Sequence, residues 1–133
     1  MTLIPSVETD LPEICEWIAS DPWHQQLGGD FWLTGSRCLF ACKLLDEEGT
    51  VCYLRVEEED DSYRLHTQFA PEHLVSKRRV VRAAIEFFRV LGELARANGK
   101  QNILTESISP KLIAFLGRLG FLPAGSNDYK LEV

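Results

Sequence analysis

Four cations stand close together at the start of the longest apolar-periodic stretch of the chain: Lys77, Arg78, Arg79 and Arg82. A helix predicted over residues 75–99 would place them in its first turns, where the helix dipole and free backbone N–H groups already attract anions. Cations are locally unfavourable there, and the chain has a net charge of −6. The placement therefore predicts an anion site, most simply for a phosphate. The alternative is that these cations only raise solubility.

Two further residues are candidates for accepting a proton, because a general base must reach its partner directly or through one water. His66 and Glu106 lie on predicted strands expected to border a central cleft. His66 alternates with Arg64 and Gln68 on one strand face, and three polar groups in line predict a wet cleft or a hydrogen-bond network. A structural role for His66 and a solvent-exposed Glu106 remain open alternatives. The loop after this strand offers two more candidates, Glu72 and His73.

The four cysteines are expected to be reduced and mostly buried: Cys15, Cys38, Cys42 and Cys52. Their neighbours are apolar, and an even count alone is poor evidence for disulfides in a chain of this size. Cys38 and Cys42 could be imagined as metal ligands, but their spacing on a strand separates them and no histidine pair supports them. The sequence therefore predicts no metal site.

Hydrophobic periodicity predicts which elements carry these residues. The long helix begins at an N-cap Ser76 and ends at Asn98-Gly99. Its buried stripe is predicted to comprise Val81, Ala84, Ile85, Phe88, Leu91 and Ala95. A helix over residues 8–20 would bury Leu11, Ile14, Cys15 and Ile18. The aromatic segment 21–35, with Trp23 and Trp32, would cover a pocket or cap the core.

Strands are predicted over residues 1–7, 37–45, 51–57, 62–69, 101–106, 121–123 and 129–133, and a third helix over 111–119. Short turns make the second to fourth strands an antiparallel meander, and the acidic run 57–61 would be a solvated hairpin tip. The crossover through the long helix predicts that strands 62–69 and 101–106 are parallel and flank a cleft at its N-terminus. The fold class is mixed α/β, with one central sheet and helices on both faces.

Length and composition fit a single domain over residues 1–133, since 45% of the chain is hydrophobic. No signal peptide or membrane span is recognisable, so a cytoplasmic protein without a membrane partner is expected. The acidic net charge makes nucleic acid the least favoured partner, although a local basic groove stays open. A homodimer is an open expectation.

The segment SPKLIAFLGRLGF, residues 109–121, is similar to the Asn-Pro-x-x-x-x-Phe-Tyr-x-x-x-Gly-Phe segment of the GNAT acyl-CoA N-acyltransferases. With the element order and the basic helix start, the resemblance covers nearly the whole chain. The run LHTQFAPEHLVSKRRVV, residues 65–81, resembles the small divergent GNAT-type proteins carried by bacteriophages. The resemblance implies a GNAT-like sheet, acetyl-CoA or another acyl-CoA as co-substrate, and a small-molecule or protein amine as acceptor.

The resemblance also implies roles for particular residues. The family's pyrophosphate loop, Gln/Arg-x-x-Gly-x-Gly/Ala, falls on residues 79–84, where Arg79 and Ala84 match and Arg82 replaces the first glycine. The strand end at Phe69 and Ala70 would bind the pantetheine arm, and Ser109 stands at the family's asparagine. Leu116 occupies the position of the tyrosine that protonates the leaving thiolate. Tyr129, on the last strand, is a candidate substitute.

Three functions are compatible with these residues. The first is acyl transfer to an amine held under the tryptophan-containing segment 21–35. The second is a GNAT-shaped binding module without chemistry, such as a virion-associated interaction protein, which the missing tyrosine and altered loop would allow. The third, a nucleic-acid contact through Lys77–Arg82, is least favoured by the acidic remainder of the chain.

Overall fold

A computed structural model describes residues 1–23 and 29–133 of the chain. Within them, seven strands form one sheet in the order β1-β2-β3-β4-β5-β7-β6. The strands are β1 Thr2–Pro5, β2 Cys38–Asp46, β3 Gly49–Glu58, β4 Ser62–Phe69, β5 Asn102–Glu106, β6 Leu122–Pro123 and β7 Asp128–Glu132. The helices are α1 Leu11–Ser20, α2 Lys77–Ala97 and α3 Pro110–Arg118, with 3-10 turns at Glu8–Asp10 and Gly29–Leu33. The mixed α/β fold is therefore confirmed.

The meander β2-β3-β4 is antiparallel, as the short turns predict. Gly49 closes the β2-β3 turn at φ 121°, a left-handed conformation that glycine adopts without steric penalty. One part of the hairpin prediction is wrong. Glu57 does not belong to a solvated tip, because β3 extends to Glu58 and the Glu57 side chain is only 17% exposed.

Helix α2 begins where the N-cap signal predicts, and the Ser76 side chain accepts a hydrogen bond from the Arg79 N–H. Its buried face consists of Ala83, Ala84, Phe87, Phe88, Leu91, Gly92 and Ala95. Ile85 was placed on this face by the periodicity, but it is 50% exposed. The stripe is centred on the 84, 87, 88, 91 and 95 positions, and Ile85 falls about 100° away from Ala84 around the helix.

Helix α1 packs on the opposite face of the sheet from α2. Trp17 contacts Tyr53 of β3 at 5.1 Å between ring centroids, while Phe87 of α2 contacts Phe69 of β4 at 6.3 Å. The buried residues of α1 are Ile14 and Trp17. Cys15 is exposed, so its predicted burial was wrong. Trp17 lies about 60° from Ile14 around the helix, whereas Cys15 lies about 100° from Ile14 on the other side, so the buried face includes Trp17 and leaves Cys15 out.

All four thiols are free, but only Cys42 and Cys52 are buried, and Cys38 is half-buried. The expectation that most cysteines are buried therefore holds for two of the four. Burial raises the pKa of the Cys42 thiol to about 11, so this thiol is protonated and unreactive at neutral pH.

Strands β4 and β5 are parallel, as predicted, but they pair over only the first half of β4. The paired positions run from Ser62 opposite Asn102 to Leu65 opposite Thr105. Beyond Leu65, β4 continues four residues to Phe69, whereas β5 stays with β7 through Glu106 opposite Asp128. The two strands therefore part at Leu65, and we call the opening between residues 66–69 and β5 the β4-β5 split. Among the described residues, no helix is long and apolar enough to cross a membrane.

Candidate functional site

The backbone of β4 supplies the first component of the candidate site. The N–H of Ala70 donates to the carbonyl of Val51 in β3, at 2.9 Å. Since backbone groups of successive strand residues point to opposite edges, those of Phe69 and Thr67 are directed at the β4-β5 split. The ladder with β5 has already ended at Leu65. The split therefore offers strand-type donors and acceptors to an extended ligand.

The start of α2 supplies the second component, about seven residues further along the chain. The first hydrogen bond of the helix backbone runs from the Val80 N–H to the Ser76 carbonyl. The Arg79 N–H donates instead to the Ser76 side chain, which caps the helix. The N–H groups of Lys77 and Arg78 precede both. An anion at this helix end would therefore meet these two N–H groups, together with the exposed side chains of Lys77 and Arg78.

The segment that the sequence assigns to a pyrophosphate loop, residues 79–84, lies inside α2. Its N–H groups beyond Arg79 are used in helix hydrogen bonds, and Ala84 is buried at 1% exposure. This placement agrees with the helix predicted over residues 75–99, and the alignment with the family's pyrophosphate loop stays a prediction. The Arg82 side chain is exposed one turn after Arg78, where it can reach a ligand. It does not control access to backbone N–H groups, because those of this stretch are already bonded within the helix.

Arg79 is held by carboxylates of the β2-β3 turn. Its Nε lies 2.6 Å from Asp46 Oδ2 and its Nη2 lies 2.6 Å from Asp46 Oδ1, and Glu48 follows at 3.4 Å. The Asp46 side chain is only 3% exposed. The two hydrogen bonds from Arg79 lower the pKa of Asp46 to about 2. This bidentate pair ties the β2-β3 turn to α2 and occupies the guanidinium that the sequence offers to a phosphate.

Breaking this pair is expected to destabilise the fold. Arg79→Ala leaves a nearly buried carboxylate without its partner, so the free energy of unfolding should fall by about 1.5 to 3 kcal/mol. The pKa of Asp46 is lower in the folded state than its unfolded value of 3.8. The stability that the pair contributes is therefore fully present above pH 3.8 and disappears as pH falls toward about 2. Urea unfolding at several pH values measures it. A pH-independent difference between parent and variant would contradict this account.

His66 points to the α1 side of the sheet and contacts Glu57. Its Nε2 makes a short hydrogen bond with Glu57 Oε1, and the ring of Phe31 lies edge-on at 5.5 Å. Burial lowers the pKa of His66, and Glu57 opposes only part of that effect. The imidazole is therefore neutral at neutral pH. His66 is thus able to accept a proton, and Glu57 is placed to stabilise the resulting cation.

The predicted polar face of β4 forms a hydrogen-bond network. Arg64 binds Asp128 at 2.9 and 3.1 Å and Glu59 at 2.5 Å, and Gln68 donates to Asp21 at 3.2 Å. Three residues of β3 complete the face by cross-strand pairing: Tyr53, Arg55 and Glu57. Sequence reasoning missed Arg55 and Glu57. Their alternation with Tyr53 was the available signal, since it places them directly opposite His66 and Arg64.

Glu106 and Tyr129 lie on opposite faces of the sheet. Glu106 is exposed and pairs across the ladder with Asp128, whose carboxylate binds Arg64 on the His66 face. Tyr129 is half-buried and pairs with Thr105 on the face that α2 covers. The structure therefore places His66 and Glu106 on the α1 side of the sheet, and Tyr129 on the α2 side.

Ser109 and Leu116 have local roles in α3. Ser109 caps the helix by accepting from Leu112 N at 3.4 Å, as the sequence predicts. Leu116, at the position aligned with the family's tyrosine, is completely buried. It belongs to the core, where leucine has no proton to donate.

Introducing the family residue here should therefore disrupt packing instead of supplying an acid. Leu116→Tyr adds a ring and a hydroxyl to a filled site, so we expect a loss of about 1 to 3 kcal/mol in the free energy of unfolding. Thermal and urea unfolding of the variant measure it, with Leu116→Met as a volume-conserving control. A Leu116→Tyr variant as stable as the parent would show that the site has room for the ring.

Two other kinds of site were considered in the described part of the chain, a metal site and a second groove. No cluster of three or more potential metal ligands occurs among residues 1–23 and 29–133. A groove of about 770 Å³ runs along the β3-β4 turn, lined in part by Arg37, Glu58, Asp61 and Lys100. It lies at the start of β4, at the opposite end of the strand from the split and the N-terminus of α2. The groove therefore lies outside the candidate site at the β4-β5 split.

No family model matches the chain, and no curated protein matches it in sequence. Solved structures do match. The ribosomal-protein-S18-alanine N-acetyltransferase from Escherichia coli has a TM-score of 0.69 at 16% identity, covering 99% of this chain and 93% of that one. A GNAT superfamily phosphinothricin acetyltransferase from Sinorhizobium meliloti, solved with acetyl-CoA, has a TM-score of 0.68 at 17% identity, covering 99% and 88%.

A third match is a chimeric spermidine N-acetyltransferase involving Vibrio cholerae, with a TM-score of 0.69 at 15% identity, covering 99% of this chain and 95% of that one. These likenesses extend over the whole length of the chain. The chain therefore has the fold of the GNAT acetyltransferases. Identities this low concern the fold alone.

Proposed function

We propose that the chain is an acyl-CoA-dependent N-acyltransferase that transfers an acetyl or related acyl group to an amine of a small molecule or a protein. The observation that carries the proposal is the β4-β5 split, which is followed in the chain by the N-terminus of α2 after the short connection 70–76. Along this path of the chain, strand-type backbone groups come first and a cationic helix end comes second. That order suits a ligand with an extended amide arm and a phosphate-bearing end.

The residues present fit acetyl-CoA at both ends of this path. The backbone of Thr67 and Phe69 would bind the pantetheine arm, and the N–H groups and side chains of Lys77 and Arg78 would bind the pyrophosphate, with Arg82 alongside. Arg79 would contribute less to phosphate binding than its neighbours, because Asp46 and Glu48 hold its guanidinium. When bound, the co-substrate supplies an acyl group activated as a thioester.

His66 would take the proton of the attacking amine, because it is neutral and close to the split on the α1 side. Glu57 fixes the ring through Nε2, so the proton would reach the imidazole through Nδ1 or through a water. Glu106 is a second candidate base on the same side. Tyr129, on the α2 side, remains the candidate acid for the departing thiolate.

Binding of acetyl-CoA to the purified protein tests the proposal. A ligand that binds only the folded state raises the melting temperature by mass action. We expect a rise with acetyl-CoA and a much smaller one with S-acetylpantetheine, which lacks the phosphates that the start of α2 would hold. Absence of any rise at millimolar acetyl-CoA would overturn the proposal. The cytoplasm is the compartment in which we place this activity.

A second candidate function is a GNAT-fold binding protein without catalysis, including a virion-associated one. Two observations favour it: Leu116 is buried where the family has its acid, and Arg79 is paired internally. The two functions differ in one measurement. A protein that binds acetyl-CoA but releases no CoA thiol with any amine would support the second.

A further inference from the structure

Arg55 is a charged residue in the interior of the α1 side of the sheet. Its side chain is 3% exposed, and its Nη1 lies 2.6 Å from Phe31 O, 3.1 Å from Trp32 O and 2.6 Å from Thr34 O. Nη1 carries two hydrogens, so the two short contacts are full hydrogen bonds and the third is shared. The three carbonyls lie at the C-terminal end of the 3-10 turn Gly29–Leu33, which attracts cations.

The same guanidinium fixes the ring of Phe31 and the backbone that follows it. Arg55 Cζ lies 4.9 Å from the Phe31 ring centroid, and the centroid of the same Phe31 ring lies 5.5 Å from that of the His66 ring. Gly35 has φ 101°, and a Cβ added there would come within 3.1 Å of Arg55 Nη2. The segment from Phe31 to Gly35, which we call the anchored segment, is therefore shaped around Arg55.

Cross-strand pairing connects this anchor to the candidate base. Arg55 stands directly opposite His66, and its Nε lies 3.8 Å from the Glu57 oxygen that binds the imidazole. The groups facing His66 are thus Arg55 and Glu57 from β3, Arg64 from its own strand, and Phe31 from the anchored segment. Phe31 is the apolar member of this set, and its ring stands edge-on to the imidazole.

We propose that Arg55 is a positioning residue. It holds the anchored segment so that the Phe31 ring covers one side of the His66 ring, and this cover keeps the imidazole neutral for proton acceptance. An apolar side chain could fill the same volume but could not donate hydrogen bonds to the carbonyls of Phe31, Trp32 and Thr34. Lysine carries the charge but lacks the rigid fork of guanidinium donors. The use of His66 as a base rests on the proposed function, whereas the anchoring and its effect on His66 do not.

NMR titration of the His66 imidazole tests the proposal without any co-substrate, with the resonance assigned by its loss in His66→Gln. In Arg55→Lys the charge stays but the anchor is lost, so the His66 pKa should rise toward the ordinary value of about 6.5. Phe31→Ala should produce the same rise with Arg55 intact. Arg64→Lys is the matched control, because Arg64 also faces His66 but its guanidinium binds Glu59 and Asp128, so this variant should leave the His66 pKa unchanged.

Each result decides between two accounts. An unchanged His66 pKa in Arg55→Lys would mean that Arg55 affects His66 only through its charge. An unchanged His66 pKa in Phe31→Ala would mean that Phe31 does not cover the imidazole. Either result overturns the proposal, as does an equal rise in Arg64→Lys. If Arg55→Lys does not fold, Phe31→Ala alone decides. Because acetyl-CoA is absent throughout, failure here is distinguishable from failure of the acyltransferase proposal.

Discussion

His66→Gln is expected to lower the rate of acyl transfer by about 10² to 10⁴, the usual contribution of a positioned general base. Glutamine has a similar reach and can still donate to Glu57, but it cannot take a proton. The affinity for acetyl-CoA should be unchanged, since the predicted co-substrate contacts lie on the backbone of β4 and the start of α2. A loss in kcat without a loss in binding is the signature of a group that acts in the transition state.

The assay follows release of the CoA thiol from acetyl-CoA with a panel of primary amines, including a polyamine and peptides with free N-termini or lysines. For the parent, activity should fall with decreasing pH below the ordinary histidine value, because the lowered pKa of His66 keeps the base neutral down to that range. His73→Gln is the comparison variant: His73 is the other described histidine that the sequence offers as a base, but it is exposed in the loop before α2, so its removal should leave the rate unchanged. Full activity in His66→Gln would show that His66 is not the general base. Glu106→Gln would then test the other candidate.

Local signals in the sequence were sufficient to predict the elements. The caps at Ser76 and Ser109 fix where α2 and α3 begin, and both hydroxyls accept the predicted helix N–H groups. The three meander strands follow from alternation and short acidic turns. These signals depend only on residues that are close in the sequence, so they can be read without knowledge of the tertiary structure.

Features that depend on register and on distant charges could not be predicted in the same way. Asp46 and Arg79 are 33 residues apart, and nothing in either segment shows that they meet. The exposure of Ile85 follows from the exact rotation of α2 on the sheet. Arg55 appeared to be one residue of a strand, whereas its partners are carbonyls of an irregular segment that has no periodicity.

The candidate site was predicted in part. His66 was selected because it shares a face with Arg64 and Gln68, and that network is present. Its partner Glu57 was missed because a run of five acidic residues resembles a solvated turn. The segment 21–35 was expected to cover a pocket: its described part places Trp32 in the core and leaves Trp23 half exposed, while residues 24–28 lie outside the described residues.

Acetyl-CoA binding is expected to weaken roughly tenfold to a hundredfold in Arg78→Ala and again in Arg82→Ala, because each charge-assisted hydrogen bond to phosphate contributes about 1.5 to 3 kcal/mol. Both side chains are exposed and lie on one side of α2, four residues apart. Arg79→Ala should instead reduce stability, with a smaller effect on affinity, since its donors already bind Asp46. Calorimetry on the three variants separates these roles.

Arg89→Ala is the matched control for that series. Arg89 is an exposed arginine of the same helix, but it is paired with Glu86 and Glu93 and lies about three turns beyond Arg78. Its removal should leave acetyl-CoA affinity unchanged. Arg82→Gly adds a further discrimination: because the Arg82 N–H is used inside the helix, glycine cannot open a phosphate loop, so binding should fall as in Arg82→Ala. Tighter binding in Arg82→Gly would show that the start of α2 unwinds into the family's loop when the ligand binds.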